Sequence, residues 1–253
     1  MPSRGYPNYW GKISSEDCKK ITNEHRDTVI NIMRIFSNRL EKSLKQNKED
    51  KEIQQVKLEN LVEKVCWDVA KAIKDEDFEQ GKKYENLPHE LSNICKNTFD
   101  ELRNLLRKNR KLIKWEISTE HYKKLAINIF ANKLKNLWDK HDKDKYIPKN
   151  LKIYTHLLNN PWNEDLHKER KKIHNYSNTH HVEWFLECNN PKLEYLVEMV
   201  CDNVATAMAR KAEYKDIFRE NKGRYMQKWL TEKIATICAN TFVDLRNTMH
   251  SKK

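Results

Sequence analysis

The feature that most constrains this chain is that it carries the same pattern twice. Residues 58–73 read LENLVEKVCWDVAKAI and residues 193–208 read LEYLVEMVCDNVATAM, with 10 identities in 16 positions. Residues 94–104 (ICKNTFDELRN) and 237–247 (ICANTFVDLRN) share 8 of 11. A weaker third match pairs Ile35-Phe36-Ser37-Asn38-Arg39-Leu40 with Ile129-Phe130-Ala131-Asn132-Lys133-Leu134. Order and approximate spacing agree, which reads as a tandem duplication. Its boundary is expected near residues 107–115, giving one copy over 1–110 and a second over 111–253. In 193–208 the apolar residues fall at 193, 196, 197, 200, 201, 204, 205 and 208, the 3.6-residue stripe of an amphipathic helix. Residues 94–106 and 234–249 behave alike. With only 4 glycines and 6 prolines in 253 residues, chain breakers are too few for a turn-rich β fold. The expected class is all-α, built of tandem duplicated helical units.

The two copies differ where chemistry would sit. The second contains an insert of roughly fifty residues, 139–190, that the first almost lacks, and seven of the ten histidines fall in 121–181. In order, the second copy presents His121, His141-Asp142, His174, His180-His181 and Asp202. Neutral imidazole and carboxylate together suit Zn, Fe, Mn or Mg, so one or two divalent ions are expected. At the position of Asp202 the first copy has Trp67. Asp202 lies about 150° from the centre of its helix's apolar stripe, at 3.6 residues per turn. A tryptophan at the matching position implies a face that packs. The helix is therefore read as central, with core on one side and a site on the other. Glu198, one turn before Asp202, fits a carboxylate that steers a ligating histidine. The remaining histidines, His25, His89, His156, His167 and His250, are read as surface or hydrogen-bonded core residues.

The order H, HD, H, HH, D resembles the HD-domain phosphohydrolase superfamily, whose signature is H…HD…D on a helical bundle. The Gly-Tyr-Pro motif of its HD-GYP phosphodiesterases does not follow His141-Asp142. The stretch Asn178-Thr179-His180-His181-Val182-Glu183-Trp184, with Glu198-Met199 and Asp202, is closer to an HD-like family of phages and large DNA viruses. There HD is followed by Ser-Lys-Phe, then Asn-Pro-His-His with an aromatic, then Glu-Met and Asp. Here Asp144 stands in place of the serine and Thr179 in place of the proline, while Lys145 and the aromatic Tyr146 are kept. The likeness covers about 121–230. It implies an HD-type bundle for the C-terminal unit and a degenerate N-terminal copy without the metal motif. It also implies a metal-dependent phosphomonoesterase or phosphodiesterase acting on a nucleotide or similar phosphorylated small molecule. His121, His141, Asp142 and Asp202 would hold a first ion. His174, His180 and His181 would hold a second or contact phosphate. Lys143, Lys145, Arg210 or Lys211 would neutralise the phosphate, and Asp144 or Glu183 would be the general base.

The net charge of +12 admits a different reading. Basic chains bind nucleic acids, so the alternative is a catalytically inactive HD-fold protein used as a structural or nucleic-acid-binding component, with homo-oligomerisation open to it. Yet the lysines are interleaved with Asp and Glu, and the one dense run is Arg107-Lys108-Asn109-Arg110-Lys111. A solvated mixed-charge face is the simpler account. The six cysteines form no CxxC pair, and most lie in apolar helical stretches, pointing to buried thiols in a reducing compartment. No apolar run nears the roughly 18 residues of a membrane span, and Met1–Pro7 has no apolar signal core. A cytoplasmic location, in a host cell or virion if the protein is viral, is expected.

Overall fold

The computed structural model describes residues 12–43, 57–74, 84, 87–110, 117–188, 190–210, 217–227 and 230–251. These form α1 (Ser15–Ser43), α2 (Leu58–Lys74), α3 (His89–Arg110), α4 (Thr119–Lys140), α5 (Pro148–Asn159), α6 (Glu164–Arg170), α7 (Val182–Glu187), α8 (Leu193–Ala209), α9 (Ile217–Gln227) and α10 (Glu232–His250). A 3-10 turn, Lys143–Tyr146, follows α4, and a π-turn, Lys171–Asn175, extends α6. No strand occurs among the described residues. The fold is all-α, as the sequence requires. None of these helices is long and apolar enough to cross a membrane.

Local chemistry sets the helix starts. Ser14 Oγ accepts from Asp17 N at 3.1 Å and Ser14 N donates back to Asp17 Oδ2 at 3.0 Å, a reciprocal cap. Ser118 Oγ accepts from His121 N, Asn163 Oδ1 from Leu166 N, and Pro148 opens α5. The starts of α2 and α8 are capped from elsewhere in the fold. Leu58 N donates to Thr241 Oγ1 and Leu193 N to Thr98 Oγ1, each at 2.9 Å.

The segments that match in sequence carry matching contacts, and they pack crosswise. α1 packs on α8, and α4 on α2. Arg39 of α1 pairs with Glu59 of α2 and Asp244 of α10. Lys133 of α4 pairs with Glu194 of α8 and Glu101 of α3. Lys57 binds Asp244 at 3.0 Å, and Lys192 binds Glu101 at 2.7 Å. One core runs through both halves, from Val29, Phe36 and Leu40 of α1, through Phe99 and Phe130, to Val200, Val204 and Phe242. No break in it falls at the expected boundary, although residues 111–116 lie outside the described residues, as do Met1–Pro7. All six cysteines are free, and all but Cys188 are buried.

α8 lies at the centre, against α1, α2, α3, α4 and α10. Its apolar stripe is buried except for the half-buried Met208, Glu194 at the edge of the stripe is buried, and Glu198 beyond that edge is buried too. Both sides of this helix are occupied, as the Trp67/Asp202 comparison led us to expect.

Candidate metal centre

α4 ends at Lys140, and His141 caps it, its N–H donating to Leu137 O and Trp138 O. Asp142 then turns left-handed, with φ 56° and ψ 13°, the one non-glycine residue with positive φ among the described residues. That conformation strains an L-residue by about 1 kcal/mol or more, and Asp and Asn tolerate it best. The residue is 0% exposed. A strained, fully buried carboxylate persists only where its surroundings fix it.

Five other segments converge on this carboxylate. α1 supplies His25, the 3-10 turn supplies Asp144 and Lys145, and the π-turn supplies His174. The turn before α7 supplies His180 and His181, and α8 supplies Glu198 and Asp202. Around Asp142 Oδ2 stand His141 Nε2 at 3.7 Å, His25 Nε2 at 3.8 Å and Lys145 Nζ at 2.6 Å. Asp202 Oδ1 lies 3.6 Å from His141 Nε2 and 2.8 Å from His25 Nε2. Around Asp142 Oδ1 stand His174 Nε2 at 3.4 Å and His180 Nε2 at 3.5 Å. The ring of His181 lies 4.5 Å from that of His174 and 4.3 Å from that of His180.

The imidazoles are held in one way. A carboxylate can only accept, so a ring nitrogen hydrogen-bonded to one is the N–H. His141 Nδ1 donates to Glu198 Oε1 at 3.1 Å, and His174 Nδ1 donates to Asp144 Oδ2 at 2.8 Å. His180 Nδ1 faces Glu198 Oε1 at 3.4 Å, and Thr179 Oγ1 donates to Glu198 Oε2 at 2.6 Å. In all three rings Nδ1 is tied to a carboxylate and Nε2 is aimed inward, the arrangement of a metal-ligating histidine.

The donor set fits a divalent ion. Bonds of 2.0–2.2 Å place two ligands of one ion about 3.0–3.4 Å apart, for right-angle to tetrahedral geometry. The Nε2–Oδ spacings of 3.4–3.8 Å around Asp142 are close to this. His141 Nε2, Asp142 Oδ1, Asp144 Oδ1 and His181 Nε2 are buried and make no hydrogen bond. Such atoms are costly unless a ligand satisfies them. Ligand atoms of His25, His141 and Asp142 lie within 4.8 Å of one another, as do those of His141, His180 and Asp202, those of His174, His180 and His181, and those of Asp142, Asp144 and His174.

Electrostatics sort the groups. Burial opposes the charge on Asp142, but Lys145, His141 and His180 hold it well below the carboxylate range. Burial likewise opposes charge on Asp202, overcome by His141 and His25. Glu198 is drawn down to about 2 by His141 and His180 against its burial. His180, against its own burial, is pushed up to about 10 by Asp142 and Glu198. Burial dominates at His174 and His181, whose pKa values fall. Their lowered values favour the neutral imidazole, the form that binds metals, whereas His141 and His180, raised by the carboxylates around them, would release a proton on binding an ion.

His121 is a correction. It lies exposed in the first turn of α4, and His141 caps that helix's other end. Twenty residues at 1.5 Å per residue separate them by about 30 Å. His25, read as an ordinary histidine, takes its place. Glu183 accepts from Asn175 Nδ2 at 3.0 Å and so braces the π-turn. Asp144 is committed to His174 through one oxygen. Lys145 and Arg210 line the cleft described next, Lys143 is exposed outside that lining, and Lys211 lies outside the described residues. His141, Asp142, His174, His180, His181 and Asp202 all converge as expected.

His25, Lys145, His174, His180, His181 and Asp202 of the cluster line an open cleft of about 1130 Å³, with further lining from α1, α5, α6, α8 and α9 and the end of α10. The chain matches no protein-family model, no curated protein and no solved structure.

Proposed function

We propose that this protein is a metal-dependent phosphohydrolase acting on a nucleotide or a similar phosphorylated molecule. The observation that carries the reading is Asp142. Its carboxylate is buried and strained, each of its oxygens faces imidazole nitrogens at near-coordination spacing, and its neighbours His25, His174, His180 and Asp202 line a wide cleft. With His25 in place of His121, the residues keep the order H, HD, D of the HD-domain resemblance. His25, His141, Asp142 and Asp202 would hold one ion. His174, His180 and His181, with the second oxygen of Asp142, would hold another. When bound, such an ion polarises a phosphoryl oxygen and lowers the pKa of water.

The chain's own residues do the rest. Glu198 fixes His141 and His180, and Asp144 fixes His174. Lys145 Nζ, 2.6 Å from Asp142 Oδ2, sets a fixed positive charge in the cleft lining, where it can meet a phosphate oxygen. Arg210 also lines the cleft. The free cysteines favour a reducing compartment such as cytoplasm.

The test is elemental analysis of the purified full chain, with assays of phosphate mono- and diesters in Mn²⁺, Mg²⁺ and Zn²⁺. Asp142→Asn is the informative variant, because asparagine tolerates the left-handed turn. It is expected to remove bound metal and hydrolysis while the helical signal persists. Full metal content in an Asp142→Asn/Asp202→Asn double variant would refute the reading.

A further inference from the structure

The lysines and arginines that line the cleft are Lys145, Arg170, Arg210 and Arg224. Lys145 is taken by Asp142, and Arg210 and Arg224 interact within the chain. Arg170 differs. It is half-buried at the end of α6, and its Nε is shut away from solvent without a hydrogen bond. No hydrogen bond or ion pair engages its guanidinium among the described residues. A guanidinium carries five N–H donors and no acceptor. A solvated arginine keeps all five in water, whereas burying a donor without a partner is costly. The stem of Arg170 is thus packed against the fold, and its four Nη hydrogens are left for an acceptor from outside the chain.

The position of Arg170 follows from its helix. The π-turn continues α6 without a break, so Arg170 stands four residues before His174 on one helical run. Residues four apart share a face, about 6 Å apart along the axis. His174 is itself fixed, with Nδ1 on Asp144 and Nε2 3.4 Å from Asp142 Oδ1. Tyr154 of α5 joins the two. Its ring stands perpendicular to that of His174 at 5.7 Å, Lys145 Nζ lies 5.2 Å from its centre, and the charge of Arg170 acts on its phenol. An unpaired guanidinium therefore borders the imidazoles that would hold an ion. We infer that Arg170 binds the substrate's phosphate through its Nη groups, beside the pocket of His174, His180 and His181. The identity of the anion rests on the hydrolase reading. A planar guanidinium meets two phosphate oxygens at once, which the point charge of Lys145 cannot do.

The experiment is calorimetric titration of the full chain, loaded with Mn²⁺, with inorganic phosphate and with acetate. The wild type is expected to bind phosphate more tightly than acetate. Arg170→Ala should weaken phosphate binding at least about tenfold, the loss of a charge-assisted contact, with Mn²⁺ content unchanged. Arg170→Lys, which keeps the charge and loses the fork, should fall between. Lys168→Ala removes an exposed cation of the same helix and should change nothing. For any phosphate ester that is hydrolysed, Arg170→Ala should raise KM about tenfold with kcat little altered. Phosphate affinity unchanged in Arg170→Ala, an equal loss in Lys168→Ala, acetate bound as tightly as phosphate, or no phosphate bound by the wild type overturns the proposal. Loss of Mn²⁺ in Arg170→Ala also overturns it, since Arg170 would then brace the π-turn. If Arg170→Ala does not fold, Arg170→Lys decides alone: weaker phosphate binding at full Mn²⁺ content sustains the proposal, and unchanged binding overturns it. If the wild type holds no Mn²⁺ or hydrolyses no ester, the hydrolase reading fails, and the phosphate titration of the same variants still decides Arg170.

Discussion

A histidine at position 25 and one at position 121 are the same side chain in different surroundings. His25 contacts Asp202 at 2.8 Å, while His121 is exposed. Replacing a residue that merely supports a ligand lowers metal affinity about 10–100-fold, and loss of a ligand should reach or exceed that. His25→Ala is thus expected to weaken Mn²⁺ or Zn²⁺ binding by at least about 100-fold, and His121→Ala to leave the titration unchanged; the reverse pattern would restore the sequence-based choice. Glu198 is a positioning residue, since it holds His141 and meets no substrate-facing space. Glu198→Gln keeps its volume but loses an acceptor, and should lower metal affinity about 10–100-fold, with part of the hydrolysis rescued at high metal concentration. Activity lost with affinity intact would contradict that role. The order of the His and Asp residues in the second copy was legible because imidazoles and carboxylates are unusual on apolar helices. His25 was not, because it stands alone, 116 residues before His141. Its one local signal was its position on the buried stripe of Val29, Met33, Phe36 and Leu40. The error at His121 was avoidable, because one unbroken helix from Thr119 to Lys140 puts its ends too far apart to share an ion.

At the scale of helices, the repeated sequence made α2, α8, α3 and α10 readable, because an amphipathic stripe reports a local period. It gave no partner for any of them, because crosswise packing is a property of pairs. The clearest instance is the exchange of caps. Thr98 of α3 closes the start of α8, and Thr241 of α10 closes the start of α2. Both hydroxyls are buried, so Thr98→Val and Thr241→Val each leave a backbone N–H without an acceptor at nearly constant shape. Each is expected to cost about 1–2 kcal/mol, read as a lower midpoint in urea. Thr98→Val should also loosen metal binding, because α8 carries Glu198 and Asp202, whereas Thr241→Val should not. Equal effects on metal binding would show that the cap at Leu193 does not control the placement of those two residues. The π-turn that presents His174 had no sequence signal, as an extra residue in a helical turn leaves the composition unchanged.

For the whole molecule, the expected division at about residue 110 separates segments that the packing joins. α1 lies on α8 and α4 lies on α2, so a chain of residues 111–253 alone would expose the core face of α4 and lack His25. Such a fragment is expected to show low cooperativity in thermal unfolding and no tight metal site, both recovered on co-expression with residues 1–110. A fragment that folds and binds metal by itself would show that the contacts of α1 are dispensable. The net charge, by contrast, forecast little about this architecture. The ion pairs that organise it, Arg39 and Lys57 with Glu59 and Asp244 and Lys133 and Lys192 with Glu194 and Glu101, are balanced sets within the fold.

The contact between His25 and Asp202 spans 177 residues of sequence. During synthesis His25 leaves the ribosome long before its partner exists. At roughly 5–20 residues per second the interval is about 10–35 seconds. Any ion the full cluster holds is captured only after Asp202 has been made, and until then the nascent chain meets the cell's metal pool with His25 and Asp202 apart.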